Sequence, residues 1–347
     1  MSNYVNAIWD LPGDIVGQIL NQLRPKSIVT CMLVSKTWRD VVKRQPGLQG
    51  KIKLEAAWRC RNLDPIVHYP AESFYTWSCA RSNNRVALAG PDGVLVLDLR
   101  NGDILFDLRG WAGATRSLCF LDELLASGGC SGELRGWEVS SGDQVFCVGA
   151  FSCYVSSIAD LGDYVALGGW DGRLETWKKE SWSRFGNLKG HTDYIDCLSS
   201  AKEGALLVSG SGDSTIRVWD VLESACVNVL SGNSHGASCL EVFDGFIVCG
   251  LWDGLIFLWR LESGALWGVF EGHVNGIAAI SFDGVRIVSG SHDGVIKVWD
   301  LMEQGCIRTF VTGDCCERNG IWVDGDELVV VAQSGRMLVW NFLRDLE

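Results

Sequence analysis

A large aromatic residue returns about every 40 residues through most of this chain, each time closing a short alternating segment. Trp137 closes ELRGW, Trp177 RLETW, Trp219 TIRVW, Trp259 LIFLW, Trp299 VIKVW and Trp340 RMLVW. Leu97, in VLVLDL, takes the same place one period earlier. The successive spacings are 40, 40, 42, 40, 40 and 41 residues. A unit of that length holds four short strands, and it can bury its apolar faces only against neighbouring units. The chain is therefore restricted to small sheets repeated side by side.

Within each unit the order is the same. An apolar strand such as LLVSG (206–210) or RIVSG (286–290) leads into a turn, and the turn leads into the anchor strand. Four of the turns are Asp-Gly: Asp92-Gly93, Asp171-Gly172, Asp253-Gly254 and Asp293-Gly294. Asp-Gly between alternating apolar segments is a strong hairpin signal, because glycine supplies the positive φ that the turn needs. The composition agrees, with Gly 41 and Trp 16 against only Pro 6.

These units resemble the WD-repeat family. Gly190-His191 with Ser209, Asp213, Trp219 and Asp220, and Gly272-His273 with Ser289, Asp293, Trp299 and Asp300, match its full pattern. The resemblance implies a mainly β fold, a seven-bladed WD-repeat β-propeller over residues 64–347. It also implies that the His, Ser, Asp and Trp side chains of both units form a buried hydrogen-bond chain, worthwhile only if every member is satisfied. Ser131 and Ser334 replace the turn Asp in units two and seven, so those units should depend more on packing. Seven residues follow Trp340, too few for a last outer strand. By register that strand is expected near Asp64–Ala71, where Pro65 and Pro70 suit an edge that need not donate.

Residues 8–43 follow another period. Ile15, Ile19 and Leu23 fall at helical spacing and Leu20 widens the stripe. Pro12 suits a first turn, Pro25 interrupts, and Ser35 caps a third short segment. The order L-P-x-D-I…I-L…L…K-S…C…V-S-K-x-W-R resembles the F-box motif over its whole length. Family residues carry over to Leu11, Pro12, Ile15, Ile19, Leu20, Leu23, Val34 and Trp38. The resemblance implies a small all-α three-helix module over 1–45 that binds a Skp-type adaptor and, through it, a cullin scaffold. Residues 46–63 read as a short apolar linker with helical potential. A plain helical cap on the propeller is the blander alternative for the module.

Charge divides the same way. Residues 1–60 hold nine Lys or Arg against four acids, so they carry +5 and leave −17 to the rest of a chain whose net charge is −12. The acidic part disfavours nucleic acid. No apolar run is long enough to span a membrane, which sets the expectation of a cytoplasmic or nuclear protein without membrane contact. There the 14 cysteines should stay thiols. Neither a phosphate-cradling loop, nor a C-x-x-C pair, nor an activated nucleophile occurs, so the expectation is no enzyme, no cofactor and no metal.

In WD-repeat propellers partners often sit on the face carrying the turns. The positions expected there are the residue before each turn Asp and two residues flanking the start of each innermost strand. Arg116, Tyr154, Trp170, Tyr194, Trp252 and His292 are the substrate-binding candidates. The flanking pair reads as Thr76 and Ser78 in unit one and as Glu317 and Asn319 in unit seven. One arginine is too few for phosphopeptide capture, whereas Trp and Tyr suit an apolar or mixed protein surface. The alternative for Trp170 and Trp252 is packing over adjacent turns. Function then reads as the monomeric substrate receptor of a cullin-based ubiquitin ligase, against a non-ligase WD-repeat scaffold as the alternative.

Overall fold

The computed structural model describes residues 65–68, 74–110, 113–201, 204–301, 304–325 and 327–342. The chain forms two compact units, Ile66–Asp324 with Leu328–Val339, and Met1–Pro65 with Gly325–Glu327 and Trp340–Glu347. The first unit holds nearly all described residues. Leu11, Pro12, Ile15, Ile19, Leu20, Leu23, Val34 and Trp38, like the linker after them, lie outside the described residues.

The described residues form 28 strands and no helix. Five sheets contain four strands each, and a sixth contains eight, because the first and last blades join edge to edge through a parallel bridge from Ser78 to Arg318. Seven four-stranded blades result. Their innermost strands are Ser78–Ser82, Thr115–Leu121, Val155–Leu161, Ile195–Ala201, Ala237–Phe243, Ile277–Phe282 and Cys316–Asp324. Each packs against the next and the last against the first, so the ring closes. This is the mainly β, seven-bladed propeller that the WD-repeat resemblance implies, built from the four-stranded units that the 40-residue period predicts. Closure comes through strand Ile66–His68, which pairs antiparallel with Met337–Asn341 as the outer strand of blade seven.

The apolar core is a set of wedges between neighbouring blades. One joins Val208, Val218 and Ile216 of blade four to Ile247, Cys249 and Trp259 of blade five, and another joins Val248 and Leu258 of blade five to Ile287 and Trp299 of blade six. The anchors from Leu97 to Trp299 are 0–8 % exposed. Burial of a side chain that size contributes about 2–3 kcal/mol. Hydrogen bonds stitch the inner strands as well. Ser156 and Ser238 donate to the carbonyls of Ile195 and Ile277 in the following blades, at 2.5 and 2.6 Å. Lower down, Glu241 accepts from the Phe282 N–H at 2.7 Å and Ser281 from the Val323 N–H at 3.2 Å.

The two expected polar tetrads differ. In blade four Trp219 Nε1 donates to Ser209 Oγ at 2.8 Å, His191 Nε2 lies 2.7 Å from that hydroxyl, and His191 Nδ1 lies 2.8 Å from Asp213. In blade six Trp299 and His273 meet Ser289 at 2.8 and 2.7 Å, but His273 Nδ1 is buried without a hydrogen-bond partner among the described residues. Asp293 serves its own turn, accepting from the Val295 N–H at 3.0 Å. The expectation of a complete chain around Trp299 is therefore corrected: the matching residue types are present, but the carboxylate does not reach the ring.

Candidate partner-binding face

One backbone hydrogen bond recurs in six blades. The residue before the turn donates its N–H to the carbonyl at the start of the same blade's inner strand. Cys130 bonds to Ala114, Trp170 to Tyr154, Gly212 to Tyr194, Trp252 to Gly236, His292 to Gly276 and Gln333 to Cys315. Pro91 has no N–H to give in blade one. Immediately beyond, the inner strands of blades two to six each carry a register shift, between Thr115 and Ser117, Val155 and Ser157, Ile195 and Cys197, Ala237 and Cys239, and Ile277 and Ala279. A bulge leaves its extra residue unpaired and re-aims the side chain. Those residues are Arg116, Ser156, Asp196, Ser238 and Ala278.

This register corrects the sequence reading in two blades. Ser78 pairs with Ala89 as Ser117 pairs with Gly128, so Tyr75 and Trp77, not Thr76 and Ser78, occupy the flanking positions in blade one. Thr76 and Ser78 are buried. In blade seven the bond from Gln333 identifies Cys315 and Glu317 as the pair, in place of Glu317 and Asn319. The inner strand there has nine residues, and Asn319 adopts a φ of 55°.

Five of the six substrate-binding candidates form a nearly continuous aromatic rim over blades three to six. The Trp170 ring stacks on Tyr194 at 4.6 Å, and Tyr154 is tilted toward it at 6.2 Å. Trp252 stacks on His292 at 5.3 Å with only 3° between the planes. Asp196 links the two groups: it lies two residues after Tyr194, in the inner strand Ile195–Ala201, and its Oδ2 accepts from Trp252 Nε1 at 3.1 Å. Trp170 and Trp252 thus pack on neighbours yet stay 41 % and 37 % exposed. Ring stacking holds them in place, so their free surface is offered with little conformational cost.

Arg116, in blade two, lies over Trp77 at 5.7 Å. A second arginine, absent from the sequence reading, stands near it. Arg318 Nη1 is 2.5 Å from Asp196 Oδ1, and its guanidinium lies 5.7 Å from the Trp252 ring centre. Burial and the charge of Arg318 lower the Arg116 pKa, although a guanidinium remains charged at neutral pH. Burial lifts the Glu317 carboxyl to about 7, against the pull of Arg318 and Arg116. Burial, then Arg318, depresses His292, so its ring is neutral at pH 7. Tyr194 is raised by burial and by Asp196. Among the described residues no group of three His, Cys, Asp or Glu side chains comes together as a metal site requires.

Comparison with known proteins adds what geometry alone does not. Residues 8–49 match the F-box domain family, and residues 182–220 and 264–300 match the WD domain, G-beta repeat family. An uncharacterized WD repeat-containing protein of Schizosaccharomyces pombe is 46 % identical over 55 residues, 15 % of each chain. Cell division control protein 4 of Saccharomyces cerevisiae is 39 % identical over 57 residues, 16 % of this chain and 7 % of that one. F-box/WD repeat-containing protein 10 of Mus musculus is 38 % identical over 55 residues, 16 % of this chain and 5 % of that one. The chain spans 15 % or less of the length of these relatives. The crystal structure of the computationally designed Ika8 protein superposes with a TM-score of 0.64 at 23 % identity, covering 78 % of this chain and 98 % of that one, a likeness of fold.

Proposed function

This chain joins an F-box domain to WD repeats, and from that pairing we propose that it is the substrate receptor of a cullin-based ubiquitin ligase. The F-box segment takes a Skp-type adaptor through Leu11, Pro12, Ile15, Ile19, Leu20, Leu23, Val34 and Trp38. The propeller holds a protein substrate on its turn-bearing face. No bond is made or broken by the chain itself; it contributes proximity, converting an encounter between target and charged enzyme into an intramolecular one.

The observation that supports the second half of this reading is the aromatic rim. Trp170, Tyr194, Trp252 and His292 come from four different blades, are fixed by stacking, and keep apolar surface in water. Pre-arranged aromatic surface of this kind is the usual anchor of a protein interface. For the adaptor half, calorimetric titration of a purified Skp-type adaptor into the full-length chain is the test. Wild type is expected to bind, and Leu11→Ala/Pro12→Ala to lose at least tenfold in affinity. No binding by wild type rejects the ligase reading and leaves the scaffold.

A further inference from the structure

Arg116 is the one cation among the candidates on this face. Its guanidinium makes no hydrogen bond and no ion pair among the described residues, and Nε is buried without a partner. The cation near it is engaged otherwise. Arg318 is held by the Asp196 carboxylate and also donates to the Asp196 carbonyl at 3.4 Å. A partly buried guanidinium bearing no acceptor is costly unless a ligand supplies one.

We infer that Arg116 receives a single Asp or Glu side chain of an unphosphorylated peptide segment whose neighbouring apolar or aromatic residues seat on the rim. The inference rests on the reading that this face holds the substrate. Three features select that occupant. A dianionic phosphate needs several free cations, and here one arginine is free while Asp196 and Glu317 stand close by. One carboxylate matches one guanidinium in charge and in its two-pronged geometry. Exposed aromatic surface lies on both sides of Arg116, with Tyr75 in blade one 50 % exposed and Tyr154 in blade three 45 % exposed. A segment laid over blade two therefore continues past Arg116 in both directions, which suits an internal side chain better than a chain terminus.

The test is selection of unphosphorylated twelve-residue peptides from a random display library on the full-length protein, followed by affinity measurements on the best binder. The expected peptide carries Asp or Glu within a few residues of Trp, Phe or Leu. Replacing that acid by its amide, and Arg116→Gln, should each weaken binding at least tenfold, with no further loss when combined; Arg116→Lys should recover part. Phosphoserine in place of the acid should not improve binding. Three results overturn the inference while leaving the face as the substrate site: binders sensitive to Trp170→Ala but indifferent to the acid, binders that depend on their C-terminal carboxylate, or phosphoserine binding tenfold tighter. Selection that enriches no binder sensitive to Trp170→Ala or Trp252→Ala overturns the face itself, and this inference with it.

Discussion

Arg318 and Asp196 form an ion pair at 2.5 Å between blades seven and four, 122 residues apart in sequence and not neighbours in the ring. The Asp196 side chain is fully buried and that of Arg318 is 11 % exposed, so water screens the pair little. Removing one partner strands the other charge. Asp196→Asn is expected to lower stability by about 2–4 kcal/mol, measured by urea unfolding. Arg318→Met added to it should cost less than the sum of the two single changes, as the coupling of a direct pair requires. Additive losses would mean that the two charges do not stabilise one another.

The unequal tetrads separate two aspartates that look alike in sequence. Asp213 accepts from His191, from the Thr192 and Thr215 N–H groups and from the Thr215 hydroxyl. Against the upward push of burial, the bonds from Thr215 and His191 hold its carboxyl below the usual range. Asp213→Ala is expected to cost about 2–3 kcal/mol. Asp293→Ala, which removes a turn bond but no contact to His273, should cost less than about 1 kcal/mol. Paired denaturation curves of the two variants check the order.

His273 gives stability an acid-side slope. Burial, with Lys297 nearby, pushes its pKa down to about 4, below the value of about 6.5 expected in the unfolded chain. Above pH ~6.5 the ring is neutral in both states and its packing is fully retained. As pH falls toward 4 the unfolded state takes a proton that the folded state refuses, and stability declines. The loss should reach about 1–2 kcal/mol at pH 5. His273→Gln should flatten that part of the stability profile relative to wild type.

Glu241 acts in the opposite sense. Burial lifts its carboxyl to about 8 while it accepts from the Phe282 N–H. The folded state then binds a proton that the unfolded state has released, so this contribution is complete below pH ~4.5 and is lost as pH rises through about 8. Glu241→Gln keeps the acceptor and removes the titration. It should gain stability over wild type at pH 8.5 relative to pH 5, by on the order of 2 kcal/mol, as thermal unfolding at the two pH values will report.

The period, the blade order and the closing strand at Ile66–His68 were legible because packing fixes a Trp in six of the seven units and turn geometry fixes Asp-Gly in four. The face was legible only where spacing from the anchor is constant. In blade one Gly90 pairs with Gly93, and Leu97 follows that glycine by four residues, against the five from Gly132 to Trp137. Counting back from Leu97 therefore misses Trp77. In blade seven the longer inner strand, with Asn319 at positive φ, shifts the count by two and hides Arg318. The failure of Asp293 to reach His273 was not legible at all, since a motif records residue types and not distances.

The proposed function requires two separable contacts on one chain, one for a Skp-type adaptor and one for a protein substrate. Quantitative affinity mass spectrometry on wild type, Leu11→Ala/Pro12→Ala and Trp170→Ala/Trp252→Ala tests it directly. Two disjoint losses are expected: the first variant sheds adaptor and cullin but keeps the remaining partners, and the second keeps adaptor and cullin but sheds those partners. If both variants lose the same proteins, or neither loses any, the account is contradicted.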